Sequence, residues 1–180
     1  MTKHPDASNV TITELMLPSH SNFSGKIHGG YILGLMDQVA FAAASKFSGK
    51  YCVTASINKV DFKNPVNVGE LLTLKARVNY VGNTSMTVGI RVTSENIQTG
   101  EQKHCNSSYF VMVAKDENNE NTMVPQLELT TEEDIRRFVR AKSKLDNTRA
   151  RVKEFDAASF NYKNHLDSLR ENRVVINLEE

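Results

Sequence analysis

The spacing of apolar residues changes twice along the first part of the chain. Residues 10–17 begin with alternating apolar and polar positions, which predicts a short strand that ends at Pro18. Residues 18–28 are rich in Pro, Ser, Asn, His and Gly, a composition typical of a loop. From Gly29 to about Phe47, apolar residues recur at spacings of three and four, which predicts a helix. Because apolar residues cover nearly all of its sides, we expect this helix to be buried.

Four strand-like segments follow the helix, and the clearest of them alternate apolar with polar residues. Turn signals such as Gly82-Asn83 separate these segments. A strand, a buried helix and then a meander of long antiparallel strands predict an α+β fold in which an antiparallel β-sheet wraps around a long central α-helix. The four segments are Tyr51–Phe62, Leu71–Val81, Met86–Val92 and His104–Ala114.

The last third of the chain is more polar. We expect a domain at 1–115, a polar linker at 116–130 and a helical C-terminal extension at 131–180. Thr131 is followed by three acidic residues, which is a helix start because threonine caps free N–H groups and acids favour the first turn. Along this helix, Ile135, Phe138, Val139 and Leu145 form a narrow apolar stripe.

Charge and hydropathy exclude several classes of function. The 180-residue chain has a net charge of +1; residues 1–115 carry 11 Lys or Arg against 7 Asp or Glu, and residues 116–180 carry 11 against 14. Dedicated nucleic-acid-binding domains are usually strongly basic, so we expect no nucleic-acid partner. The mildly basic first part fits a small anionic ligand. No apolar run approaches the roughly 18 residues that a membrane span needs, so we expect none.

Cysteine usage and the first residues predict a cytoplasmic protein. Cys52 and Cys105 lie far apart in strand-like segments; a disulfide between them stays open, but a reducing compartment fits better. No basic region followed by an apolar stretch marks a secretory signal in the first residues. The five histidines are scattered, with no second histidine or carboxylate at metal-ligand spacing, so we expect no zinc site.

The junction of loop and helix carries the strongest chemical signal. Gly29-Gly30 allow close backbone approach at the helix start, where the first N–H groups lack intrahelical partners and lie at the positive end of the helix dipole. Such groups can stabilise a developing oxyanion. Asp37 follows among apolar neighbours, and burying an unpaired carboxylate is costly unless the group has a role such as activating water. A structural alternative stays open, since Gly-Gly often precedes a helix and a buried Asp can pair with a lysine or cap a loop.

The segment Asn22-x-x-Gly25-x-x-His28-Gly29-Gly30, with Asp37 downstream, resembles the signature of hotdog-fold acyl-CoA thioesterases. It is most similar to the acyl-CoA hydrolase branch, which includes bacterial short-chain enzymes and a cytosolic brain-type hydrolase. The resemblance covers about residues 10–145. Further segments agree with the family in order, namely Val53–Ser56, Val60–Glu70, Val81–Met86 and Val124–Leu127.

This resemblance implies a role for each residue that matches the family signature. It makes Asp37 the catalytic carboxylate, as general base or nucleophile, and Asn22 a catalytic asparagine that reaches the site of the opposite subunit. The N–H of Gly30 is expected to polarise the thioester carbonyl. His28 and Gly29 are expected beside the substrate, although a structural contact from loop to helix is an alternative for His28.

The resemblance also implies the ligand and the assembly. The substrate is acyl-CoA, the products are a fatty acid and coenzyme A, and no metal or bound cofactor is required. Asn83, Thr84 and Ser85 match a hairpin near bound coenzyme A, or they form a plain turn between two strands. One hotdog per chain implies at least a dimer, and the family commonly forms a trimer of dimers.

Two other functions remain open for a hotdog protein. A non-catalytic acyl-CoA sensor would need a DNA-binding element such as a helix-turn-helix with a basic recognition helix, whereas the C-terminal segment is acidic. A hydroxyacyl-thioester dehydratase would place a histidine in a His-x-x-x-x-Pro-Gly-like setting, but His28 is followed directly by two glycines.

Overall fold

The computed structural model describes residues 1–154, 161–165 and 172–175. The chain divides into two units, Met1–Lys144 and Leu145–Glu180, and the first contains every strand found among the described residues. The elements are β1 (Thr2–Lys3), β2 (Val10–Leu15), α1 (Gly29–Ser48), β3 (Tyr51–Ile57), β4 (Glu70–Val81), β5 (Ser85–Asn96), β6 (Gln102–Lys115), β7 (Gln126–Leu127) and α2 (Glu132–Glu154), with short 3-10 helices at Pro5–Ser8, Pro18–His20 and Tyr162–His165.

Strands β2 to β6 form one antiparallel sheet in the order β2-β4-β5-β6-β3. Strands β1 and β7 pair in parallel as a separate two-stranded sheet. Inward-facing residues alternate along β4 and β5, as the period of two in a half-buried strand requires. The expected α+β architecture, a sheet around a long helix, is therefore confirmed.

Helix α1 supplies the centre of the core. Its N-cap residue, His28, has an extended backbone, and its C-cap, Gly49, adopts the left-handed conformation (φ 70°) that glycine accepts readily. Three of its buried residues are alanines, whose small side chains allow the helix and the sheet to lie close together. The helix residues buried against the sheet are Ile32, Leu35, Met36, Val39, Ala40, Ala43, Ala44 and Phe47.

The third strand differs from the expectation in length and position. The predicted strand Tyr51–Phe62 ends at Ile57, and β3 pairs with β6 at the edge of the sheet rather than with β4. The Asn58 and Lys63 N–H groups still donate to the Tyr109 (2.9 Å) and Cys105 (2.8 Å) carbonyls of β6. Only after that does the chain cross from the β3 edge to β4, which a simple meander would not require. The expected meander is confirmed only for β4, β5 and β6.

The first turns of α2 begin as expected but do not turn the whole apolar stripe inward. Thr131 Oγ1 accepts a 3.1 Å hydrogen bond from the Asp134 N–H and so caps the helix. Of the apolar stripe, Ile135 and Val139 are 52% and 59% exposed. Asp134 is buried instead, and its carboxylate binds the guanidinium of Arg77 on β4. A charge bound by a partner is tolerated where an unpaired one would not be.

The expected division into domain, linker and extension stays a prediction. The first compact unit runs to Lys144, and the stretch expected as a linker contains β7. Residues 155–160, 166–171 and 176–180 of the expected helical extension lie outside the described residues.

Candidate active site

Asp37 lies on α1 and is held by a residue of β3. The hydroxyl of Thr54 donates a hydrogen bond of 2.5 Å to Asp37 Oδ1, and the carboxylate is half-buried. Thr54 Oγ1 also lies 3.3 Å from the Sδ atom of Met112 on β6. The pairing of β3 with β6 shifts register directly after Thr54. Such bulges re-aim side chains, and here the hydroxyl faces the helix.

An open pocket of about 590 Å³ surrounds this pair. Asp37, Gln38 and Thr54 supply its polar side. A carboxylate at the edge of an apolar pocket is suited to act on a polar bond that joins an apolar group to the rest of a substrate. The remaining lining is largely apolar and consists of Ile12, Phe41, Tyr51, Cys52, Val53 and Met112.

The start of α1 is already capped by its own chain. His28 Nδ1 accepts a 3.0 Å hydrogen bond from the N–H of Gly30, so a side chain occupies the N–H that was expected at the thioester carbonyl, and that role stays a prediction. The cause is the extended backbone of His28, which turns its ring back over the first turn. A Cβ on Gly30 would lie 3.0 Å from the ring nitrogen, and one on Gly29 would lie 3.4 Å from the Phe62 ring. The contact at Gly29 is an ordinary one, so within this chain only Gly30 has a packing reason to be glycine.

Asn22 organises the loop before α1. Its Oδ1 accepts hydrogen bonds from the Ser24 N–H (2.9 Å), the Ser24 hydroxyl (2.8 Å) and the Lys26 N–H (3.1 Å). With Oδ1 held by these three donors, the Nδ2 donor group points away from them. Within the part of the chain that the structure describes, the lining of the Asp37 pocket includes neither Asn22 nor Gly30. Their roles at a substrate therefore stay predictions.

Comparison with known proteins identifies the family. The model of the Thioesterase superfamily matches residues 24–101. Protein VdlD of Helicobacter pylori is 45% identical over 149 residues, which are 82% of this chain and 85% of that protein. The solved structure of an apo-hexameric acyl-CoA thioesterase is 38% identical and has a TM-score of 0.81. The match covers 84% of this chain and 97% of that protein's chain. The chain belongs to the hotdog-fold acyl-CoA thioesterases. An acyl-CoA hydrolase from Bacillus cereus is also similar, at 32% identity and a TM-score of 0.82, over 88% of this chain and 97% of that one.

The hairpin of this thioesterase that was expected near coenzyme A has clear structural contacts. The Asn83 and Thr84 carbonyls accept hydrogen bonds of 3.0 Å from the N–H groups of Val124 and Ala114. The Ser85 carbonyl accepts one of 2.8 Å from the Gly82 N–H, which closes the turn between β4 and β5. These contacts agree with the plain turn, and a further role at coenzyme A stays a prediction.

Sequence patterns alone do not identify Thr54 as a residue of the thioesterase site. Thr54 lies in the segment Val53–Ser56 that matches the family, but its contact with Asp37 depends on where β3 joins the sheet. The two cysteines are free and buried. Among the described residues, no helix is long and apolar enough to cross a membrane, and no cluster of three or more His, Cys, Asp or Glu side chains could hold a metal ion.

Proposed function

We propose that this thioesterase hydrolyses fatty acyl-CoA to a free fatty acid and coenzyme A. The observation that carries the proposal is the Thr54–Asp37 pair at the polar side of a largely apolar pocket. Solved relatives with the same fold at 38% and 32% identity are named acyl-CoA thioesterase and acyl-CoA hydrolase, which supports this substrate class. Cytoplasmic location is part of the same proposal.

In the proposed reaction, Asp37 activates the attacking water. Asp37 takes a proton from the water as its oxygen bonds to the thioester carbonyl carbon. The C–S bond then breaks, the coenzyme A sulfur takes up that proton, and the fatty acid is released. The Gly30 N–H stabilises the oxyanion once the His28 ring turns aside. Hydrolysis in ¹⁸O water under single turnover tests the alternative, since only a nucleophilic Asp37 would carry the label into its own carboxylate.

Asn22 is proposed to act in the site of a second copy of the chain. Strand β3 is an edge of the sheet and carries exposed Tyr51 and Ile57, and an unpaired edge is a template for pairing with another chain. Phe23, beside Asn22, is fully exposed at the loop tip. We propose a dimer and, as one solved relative is hexameric, a trimer of dimers. Light scattering would give a multiple of the 20.2 kDa chain mass, and a monomer would contradict the shared site.

The deciding experiment measures thiol release from acyl-CoAs of different chain lengths. We expect hydrolysis by the wild type, and a loss of about 10²- to 10⁴-fold in kcat for Asp37→Ala. Activity is expected to survive dialysis against EDTA, since the proposed mechanism uses no metal. Unchanged kcat in Asp37→Ala would contradict the mechanism. Binding of acyl-CoA by the wild type without hydrolysis at any chain length would instead favour the non-catalytic alternative.

A further inference from the structure

Glu70, the first residue of β4, is a buried carboxylate that the proposed reaction does not use. Only 6% of the residue is exposed, and its Oε1 accepts a 2.8 Å hydrogen bond from Lys103 Nζ on β6. Burial by itself would raise the pKa of Glu70, but hydrogen bonds from Lys103, Asn67 and Ser94 outweigh it and lower this pKa below its ordinary value. Glu70 is therefore a fixed negative charge at neutral pH.

This charge determines how the amide of Asn67 is oriented. The Asn67 N–H donates to Glu70 Oε2 at 3.1 Å, and Asn67 Nδ2 donates to Oε1. Since a carboxylate only accepts hydrogen bonds, the NH₂ group of Asn67 must face Glu70. The Asn67 Oδ1 atom then faces away, where it accepts a 2.6 Å hydrogen bond from Lys26 Nζ. The backbones of Lys26 and Asn67 also form an antiparallel bridge.

Lys26 in turn closes the loop that carries Asn22. The Lys26 N–H donates to Asn22 Oδ1 at 3.1 Å, and the Lys26 carbonyl accepts a 2.6 Å hydrogen bond from the Asn22 N–H. One chain of hydrogen bonds thus runs from buried Glu70 through Asn67 and Lys26 to the amide of Asn22. In the side-chain amides of Asn67 and Asn22, the hydrogen-bond partners determine where the oxygen and the nitrogen lie. These hydrogen bonds therefore also set the direction of Asn22 Nδ2.

We propose that Glu70, Asn67 and Lys26 are positioning residues that aim the Asn22 amide for catalysis. This inference rests on the proposed function, in which Asn22 orients water or the thioester carbonyl. Residues 23–26 of the loop are exposed, and Gly25 within it has φ 74°, so local packing alone gives the loop little support. A displacement of about 1 Å in a group that orients a substrate can cost on the order of 10²-fold in rate.

The test compares kcat and KM for acyl-CoA hydrolysis in variants at the exposed end of this series of hydrogen bonds. Lys26→Met and Asn67→Ala are expected to lower kcat by roughly tenfold and to change KM by less than about threefold, since they disturb orientation rather than binding. Lys26→Arg keeps a charged donor for Asn67 Oδ1 and is expected to restore kcat to within about threefold of the wild type. Lys75→Met and Asn118→Ala, both at exposed positions, are matched controls with wild-type kcat.

A double-mutant cycle separates positioning from a general loss of stability. In an Asn22→Ala background, Asn67→Ala is expected to lower kcat no further, because the group that it positions is gone. The inference is overturned if Lys26→Met and Asn67→Ala keep wild-type kcat, or if Asn67→Ala costs the same factor in both backgrounds. Wild-type kcat in Asn22→Ala would overturn the role of Asn22 itself. A reduced kcat in Asn22→Ala together with a wild-type kcat in Lys26→Met would overturn only the positioning role, not the role of Asn22.

Discussion

The hydroxyl of Thr54 holds the carboxylate of Asp37 at 2.5 Å, so a strand residue fixes the side chain of a helix residue 17 positions earlier. The bond engages Asp37 Oδ1, and Asp37 lines the pocket. Thr54 itself comes from the edge strand β3, next to its bulge. The orientation of the carboxylate therefore depends on how the edge of the sheet meets helix α1.

Removing this hydroxyl is expected to slow catalysis. Thr54→Val keeps the shape of the side chain but loses the hydrogen bond to a charged group, which is worth about 1.5–3 kcal/mol, so we expect kcat to fall by roughly 10- to 100-fold. Thr54→Ser keeps the donor and should retain most of the activity. Thiol release from acyl-CoA measures both. Equal kcat for the valine and serine variants would show that the hydroxyl does not assist Asp37.

The sequence predicts the central helix and the hairpin strands well, because their signals are local. The 3.6-residue period of Gly29–Phe47 and the alternation of Leu71–Val81 each come from one element packing against one core. Asp37 is also recognisable, since a carboxylate among apolar helix residues breaks the pattern. The resemblance to the family then predicts the fold, because several short segments occur in the same order as in its members.

What the sequence does not predict depends on which elements meet in space. The pairing of β3 with β6 joins residues more than fifty positions apart, and without that pairing Thr54 is one of several small polar residues in a strand. The inward face of α2 likewise does not follow from its apolar stripe, because Ile135 is 52% exposed while Asp134 is buried. The partner of Asp134 is Arg77 on strand β4, and the helical periodicity of α2 carries no information about a residue on another element.

The Arg77–Asp134 pair is expected to stabilise the first unit of the protein. Asp134 is 4% exposed, so removing its charge leaves the guanidinium without its main partner. We expect Asp134→Asn to lower the free energy of unfolding at pH 7 by about 3 kcal/mol, as for other pairs broken on one side. Urea unfolding followed by circular dichroism measures this. Glu133→Gln, which removes exposed ion pairs with Arg136 and Arg137 on the same helix, is the control and should change little.

This stabilisation should depend on pH in one direction. The Thr131 hydroxyl and then the Arg77 guanidinium hold the pKa of Asp134 well below its usual range, against the opposing effect of burial. A carboxyl whose folded pKa is depressed stabilises the protein above its unfolded pKa, about 4, and loses this contribution as the pH falls further. The difference between wild type and Asp134→Asn should therefore be full at pH 7 and shrink below pH 4. A difference that grows as the pH falls below 4 would contradict this assignment; above that range, protonation of His4, whose Nε2 lies 3.3 Å from Asp134 Oδ2, can add to the difference.

The imidazole cap on α1 is expected to have a measurable effect on stability. His28→Ala removes the acceptor for the Gly30 N–H and should cost about 1 kcal/mol of unfolding free energy. His28→Asn offers another acceptor at the N-cap position and should retain most of the stability. Thermal unfolding of the two variants compares them directly. If the alanine variant is as stable as the asparagine variant, the hydrogen bond to Gly30 contributes nothing to the folded state.

We expect any larger residue at Gly89 on β5 to destabilise the protein, because the side chain of Asn79 on β4 lies against it. A Cβ at position 89 would overlap the Nδ2 atom of Asn79 and lie 3.3 Å from the Tyr109 ring, so Gly89→Ala should cost about 1–3 kcal/mol by overpacking. Asn79→Ala removes the overlapped amide, whose Oδ1 is buried without a hydrogen-bond partner among the described residues, and should cost less than a normal buried amide. The double variant should therefore be more stable than the sum of the two single effects predicts, which urea unfolding of all four proteins would measure. Strict additivity would show that the two positions do not compete for the same space.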